Sequence, residues 1–144
     1  MTETYVQDIL TTAFLQLNLS SGKPYIKFED GKPVNVYFPN IPFTAPTNRQ
    51  YFVLSFLPGE PEAAGMGTDA YNSFVGVFQI DIYSPAGKGE DEVNAKYEAL
   101  SKLFERGKYF DRVLIRKVYC PTRGVEIDAY KAVVRINWTA QIPK

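Results

Sequence analysis

Residues 76–107, GVFQIDIYSPAGKGEDEVNAKYEALSKLFERG, limit the possible folds more than any other stretch. Phe74, Gly76, Phe78, Ile80 and Ile82 alternate with Val75, Val77, Gln79, Asp81 and Tyr83. That is the period of a strand with one apolar face and one mixed face. Pro85 and Gly87 then turn the chain. Val93, Tyr97, Leu100 and Phe104 follow at helical spacing and predict a buried stripe. Glu90, Asp91 and Glu92 lie where the helix dipole is positive, and Lys102, Arg106 and Lys108 lie at its negative end. Gly107 suits the left-handed position that closes a helix. A strand that feeds directly into a helix makes this a mixed α and β chain.

The flanking segments extend the pattern. Tyr5, Val6, Ile9, Leu10, Ala13, Phe14 and Leu17 recur at three- and four-residue steps and predict an N-terminal helix. Thr2 or Thr4 caps it, Thr4 with Gln7 at capping-box spacing, and residues 18–22 supply its stop. Asp30-Gly31 predicts a hairpin turn between strands at 25–28 and 34–38. Pro39, Pro42 and Pro46 then interrupt regular pairing, with Ile41 and Phe43 among them. Those two residues are expected to dock on the chain's own core or on a neighbouring subunit.

Residues 51–57 predict a buried strand. The next thirteen positions, 58–70, hold two prolines, three glycines and three acids and predict a structureless loop. Loops of that length are often functional; this one is either an arm that orders on assembly or a solvated loop. Residues 113–119 predict another strand. In the last, at 129–142, Ala132, Val134, Ile136, Trp138 and Ala140 alternate with Val133, Arg135, Asn137, Thr139 and Gln141. Two helices do not suffice to cover both faces of such a sheet. The expected fold is α+β, an antiparallel or mixed sheet of five to six strands with two main helices packed on one face, in a single domain over residues 1–144. The second face is left partly exposed or used for contacts.

The chemistry available to the chain is limited. It has no histidine, which removes the commonest general base and transition-metal ligand. Cys120 is the only cysteine, so no intramolecular disulfide and no cysteine-based zinc site is expected. Its place beside Pro121 predicts a buried, inert thiol. Sixteen basic residues balance sixteen acidic ones, which argues against the basic excess of a nucleic-acid binder. No apolar run is long enough to span a membrane. MTETYVQD lacks the basic and apolar regions of a signal peptide, so a soluble, unexported protein is expected.

No catalytic constellation appears. The helix dipole accounts for Glu90, Asp91 and Glu92. Neither Gly65-Met66-Gly67 nor Gly87-Lys88-Gly89 has the spacing of a phosphate loop. No cofactor or metal is implied. Asp81 and Arg135 stand inside strands on their more polar faces. They either pair across the sheet or face a ring lumen or subunit boundary. Arg112 and Arg116 share a face by alternation, with Lys117 opposite and Arg123 further along. They form either a basic strip used in contacts or a charged edge that blocks stray pairing.

The strand at 74–83, the turn at 84–89 and the helix ending at Phe104–Gly107 resemble the tail terminator (tail completion) proteins of long-tailed bacteriophages. The element order is similar too: a helix, strands, a long loop, then strand, turn, helix and two closing strands. The resemblance implies a non-enzymatic virion protein of the head–tail junction. It would form a ring, usually a hexamer, on the last ring of tail-tube protein, end tube growth and meet the head-side connector. Assembly in the host bacterial cytoplasm is implied, with no membrane and no specific nucleic acid as partner. Another neck or tube component, or a small binding module, is the alternative. Candidate subunit or tube contacts are Ile41, Phe43, Glu60, Glu62, Met66, Asp69, Tyr71, Asp81, Arg112, Arg116 and Arg135. Ten tyrosines and ten phenylalanines suit such contacts, because each buries a large area.

Overall fold

The computed structural model describes residues 2–38, 50–58, 62–64, 71–85, 91–126 and 129–143. The first apolar stripe forms α1 (Thr2–Phe14), which buries Val6, Leu10, Ala13 and Phe14. Residues 18–22 do not simply stop it. Leu17 carries the stripe into the core, so a short α2 (Leu17–Ser21) forms first. Gly22 alone is left-handed, at φ 73°, and its N–H donates to the Asn18 carbonyl at 2.9 Å.

The Asp30-Gly31 turn forms as expected, with φ 52° and 76°. The ladder around it is shorter than predicted, β1 (Phe28–Glu29) against β2 (Lys32–Pro33). Pro33 has no N–H to extend the pairing. At the hairpin's base the buried Asn35 replaces ladder bonds. Its Oδ1 accepts from the Lys27 N–H and its Nδ2 donates to the Tyr25 carbonyl, each at 2.9 Å. β3 (Val36–Tyr37) then leaves the hairpin and pairs parallel with Phe52 and Val53 of β4 (Tyr51–Pro58). β4 buries Phe52 and Leu54 on one face; on the other, Tyr51 at its start is buried while Leu57 near its end is 50% exposed.

The segment predicted as a loop contains β5 (Glu62–Ala64). It pairs with the first residues of β6 (Tyr71–Pro85), which begins before its apolar alternation does. α3 (Asp91–Leu103) buries Val93 and Leu100, and Phe104 just after it is buried as well. Gly107 is left-handed at φ 89°, but it lies beyond the helix end. Its N–H donates to the Ile115 carbonyl at 2.8 Å, so it shapes the entry to β7 (Tyr109–Phe110). β8 (Val113–Glu126) runs past its predicted end, with register shifts at Ile115/Lys117 and Tyr119/Thr122. Pro121 lies within the second shift, where a missing N–H is tolerated. Cys120 beside it is half-buried. β9 (Ala129–Pro143) is the last described strand.

These elements make an α+β fold. Six strands lie in the order β3-β4-β6-β9-β8-β7, and β5 pairs with β6 off that path. The sheet is mixed, because only β3 and β4 are parallel. Register places Phe52, Leu54, Phe78, Ile80, Ile82, Ala132, Val134 and Ile136 on one face, called even here after its numbering in β4, β6 and β9. These residues and buried side chains of α1, α2 and α3 form one apolar cluster. Aromatic edges knit it, as in Phe14 against Phe52 at 5.3 Å and Phe78 against Phe104 at 6.0 Å. Trp138 pairs directly opposite Gly76 and stacks on Phe56 at 5.6 Å. A Cβ at Gly76 would lie 2.6 Å from Trp138 Cζ2 and 2.8 Å from the Leu57 carbonyl oxygen, so only glycine fits.

Candidate assembly interface

The opposite, odd face carries most of the described polar candidates. Its two ends differ. Where β6 nears α3, Gln79 lies across from Arg135 and accepts its Nε–H at 3.1 Å. Gln79 Nε2 in turn donates to Asp81 Oδ1 at 3.0 Å. Asp81 is buried and holds Lys131 at 3.9 Å. The Lys131 ammonium also sits 5.4 Å from the Tyr83 ring centre, and Tyr83 stacks on Tyr51 at 4.6 Å. Of the two alternatives open for Asp81 and Arg135, direct pairing across the sheet is not what the described residues show. Gln79 bridges them, because Arg135 lies directly across β6 and β9 from Gln79, while Asp81 lies across from Val133.

The other end is open. A concavity of about 980 Å³ is lined by Val75, Val77 and Leu114, with Tyr109, Arg112 and Arg116 among its other walls. Val75 and Tyr109 are exposed, as is Leu57, which pairs with Val77. Arg112 and Arg116 share this concavity, as their spacing predicts. Lys117 does not point the opposite way, because the register shift after Ile115 sets it across from Asn137 on the same odd face. Both arginines are exposed and form no ion pair among the described residues. Asp111 also lines the concavity, but its carboxylate accepts the Tyr5 hydroxyl from α1.

Of the remaining candidates, Tyr71 begins β6 opposite Ala64 and Pro143, and Glu62 pairs with Ser73. They lie at the far end of β6 from Asp81, so the structure does not gather these acids into one site. Ile41, Phe43, Glu60, Met66 and Asp69 lie outside the described residues. Among the described residues, no three acidic or cysteine side chains come together to hold a metal ion. No described helix is long and apolar enough to cross a membrane.

Sequence reasoning missed Leu57 and Tyr109 at the open end and Gln79 and Lys131 at the linked end. The alternation of β6 already set Val75 and Gln79 on one face, but their partners depend on the register with β9 and β4. It also missed Lys96, a charged residue on the inner side of α3 that is only 3% exposed. Its ammonium donates to Gln50 and lies 5.1 Å from the Phe52 ring centre. Burial lowers its pKa from 10.5 to about 8, with Lys27 pushing the same way and Glu92 opposing.

A family model described as phage tail terminator protein matches residues 11–138. The chain belongs to the phage tail terminator family. The protein is thus a structural protein of phage tails, found in the virion in association with other tail or virion proteins. One solved structure is similar to it with a TM-score of 0.63 at 20% identity, over 94% of this chain and 96% of that one. That likeness concerns the fold. A chain from the virion of a native gene transfer agent particle is similar with a TM-score of 0.44 at 18% identity, over 92% of each chain. No curated protein matches the chain.

Proposed function

We propose that this terminator forms a closed ring, a hexamer as is usual in the resemblance drawn above, on the end of the tail tube. The ring ends tube polymerisation and presents its far side to the head connector, and it is assembled in the host bacterial cytoplasm. The family match over residues 11–138 carries this reading. In it, residues 1–144 act as one domain, with the two longer helices backing the even face and the odd face turned to partners. A heterologous contact that closes on itself yields a ring and not a filament. Growth stops because the far side of the ring need not repeat the tube's polymerising surface.

The open end of the odd face supports the reading. Exposed aliphatic side chains beside two arginines make the surface expected of a protein contact. No catalytic role is assigned. Asp81, the buried carboxylate of the odd face, is held by Gln79 and Lys131. Light scattering with size exclusion over a concentration series, followed by negative-stain imaging with and without isolated tail tubes, tests the proposal. Closed rings of one size that cap tubes are expected. Long tubes of the pure protein would mark it as a tube subunit, and a deletion phage with tails of normal, uniform length would remove the terminating role.

A further inference from the structure

Most of the large apolar side chains exposed among the described residues fall on two surfaces. Val75 and Tyr109 line the odd-face concavity and are 46% and 64% exposed, and Leu57, across from Val77 beside it, is 50% exposed. Phe28 and Val34 are 44% and 37% exposed on the β1–β2 hairpin. Each surface also carries exposed charges with no ion pair among the described residues. At the concavity these are Arg112 and Arg116; on the hairpin they are Glu29 and Asp30 at the turn, flanked by Lys27 and by Lys32 opposite Glu29. Apolar area thus has a counterpart on each surface, and the two acids at the hairpin turn have a counterpart in the two arginines.

The hairpin is built to project. Its two strands form a sheet of their own, separate from the main one. A free two-stranded ribbon is marginal in water, and this one is secured at its base. Asn18 clasps both backbone groups of Ile26, at 2.6 and 2.7 Å, and Asn35 clasps Tyr25 and Lys27. The Phe52 N–H donates to the Asn35 carbonyl at 2.8 Å and ties that base to β4. The root is therefore fixed, while Phe28 and the tip stay uncovered.

Position completes the case. The hairpin runs into β3 at one edge of the main sheet, and the concavity lies toward β8 and β7 at the other. Complementary surfaces on opposite edges of one subunit join copies head to tail, the arrangement that generates rings when it closes.

We propose that the β1–β2 hairpin is an arm that seats in the odd-face concavity of an adjacent copy. Phe28 and Val34 cover Leu57, Val75 and Tyr109, while Glu29 and Asp30 meet Arg112 and Arg116. This assignment rests on the ring reading and names the contact that makes the ring.

Charge reversal on the full chain tests it. Glu29→Arg, and separately Arg112→Glu with Arg116→Glu, each raise the concentration needed for assembly by roughly tenfold or more, since like charges then meet across the contact. Mixed one to one, the two variants recover assembly, because every junction again joins opposite charges. A chain carrying all three changes recovers it alone. Melting temperatures of the variants stay near that of the parent, since the changed residues are exposed. Reversed variants that assemble like the parent, or a mixture that stays unassembled, overturn the arm and leave the ring reading intact. Variant rings that form normally but no longer cap tubes overturn it too and give the concavity to the tube protein. If the parent is monomeric when free, the same comparison is read as capping of isolated tail tubes. A parent that neither assembles nor caps rejects the ring reading itself.

Discussion

The two ends of the odd face use the same strands and the same ladder, yet they are finished differently. At the linked end Arg135, Gln79, Asp81 and Lys131 pass hydrogen bonds and charge from one to the next, and Tyr51 and Tyr83 close over the row. At the open end Leu57, Val75, Arg112 and Arg116 face outward with no such chain of partners among the described residues. A β-sheet can therefore carry stability and unspent binding capacity side by side. The difference lies in cross-strand pairing, not in composition. Behind both ends the even face is filled so tightly that one position takes no side chain at all.

The largest expected effect attacks that shared backing. Gly76→Ala drives a Cβ against Trp138 and the Leu57 carbonyl, and urea unfolding should show a loss of about 2–3 kcal/mol. An unchanged midpoint would mean that the backing yields at the open end. Next comes Lys96→Met, which removes the charge buried on the even side. The folded pKa of Lys96, about 8, is below the unfolded value of 10.5, so between these pH values the unfolded chain binds more protons. The parent's stability from this group therefore rises with pH across that window, and the penalty is fully present below it. The variant should be about 2 kcal/mol more stable than the parent at neutral pH. That advantage should vanish as pH approaches 10.5, as read by denaturant melts at several pH values.

Two smaller tests compare the ends directly. Gln79→Ala removes the bonds to Arg135 Nε and Asp81 Oδ1 at once and should lower stability by about 1 kcal/mol in the same melts. Arg112→Ala with Arg116→Ala should change it by no more than about 0.5 kcal/mol, because both side chains are exposed. Equal losses at the two ends would erase the distinction between them.

Much of this fold was legible in sequence because its two longest strands alternate cleanly. The apolar members of β6 and β9 reappear on one face, and the Asp30-Gly31 turn forms where positive φ was expected. What escaped depends on partners distant in the chain. β5 exists because β6 offers it a ladder, and Gly107 bonds across to Ile115 instead of closing α3. The choice between the two alternatives for Asp81 and Arg135 was open for the same reason, since alternation gives a residue's face but not the residue opposite it. The direction of Lys117 needed a bulge that no periodicity reveals. Lys96 stands outside the Val93, Tyr97, Leu100 and Phe104 stripe, and its burial depends on Gln50 and Phe52, which come from far along the chain.

The place of β9 also sets an order in time. It is made after every other described element, yet it lies between β6 and β8 and pairs with both along most of its length. A growing chain can build α1, the hairpin and the β4–β6 ribbon early, but the two longest ladders must wait for residues 129–143. The β8–β9 ladder then closes as a hairpin from Glu126 and Ala129, whereas the β6–β9 ladder joins strands far apart in sequence and forms more slowly. Until β9 arrives, the apolar stripes of β6 and β8 stand open to water, and the hazard of the half-made subunit is aggregation.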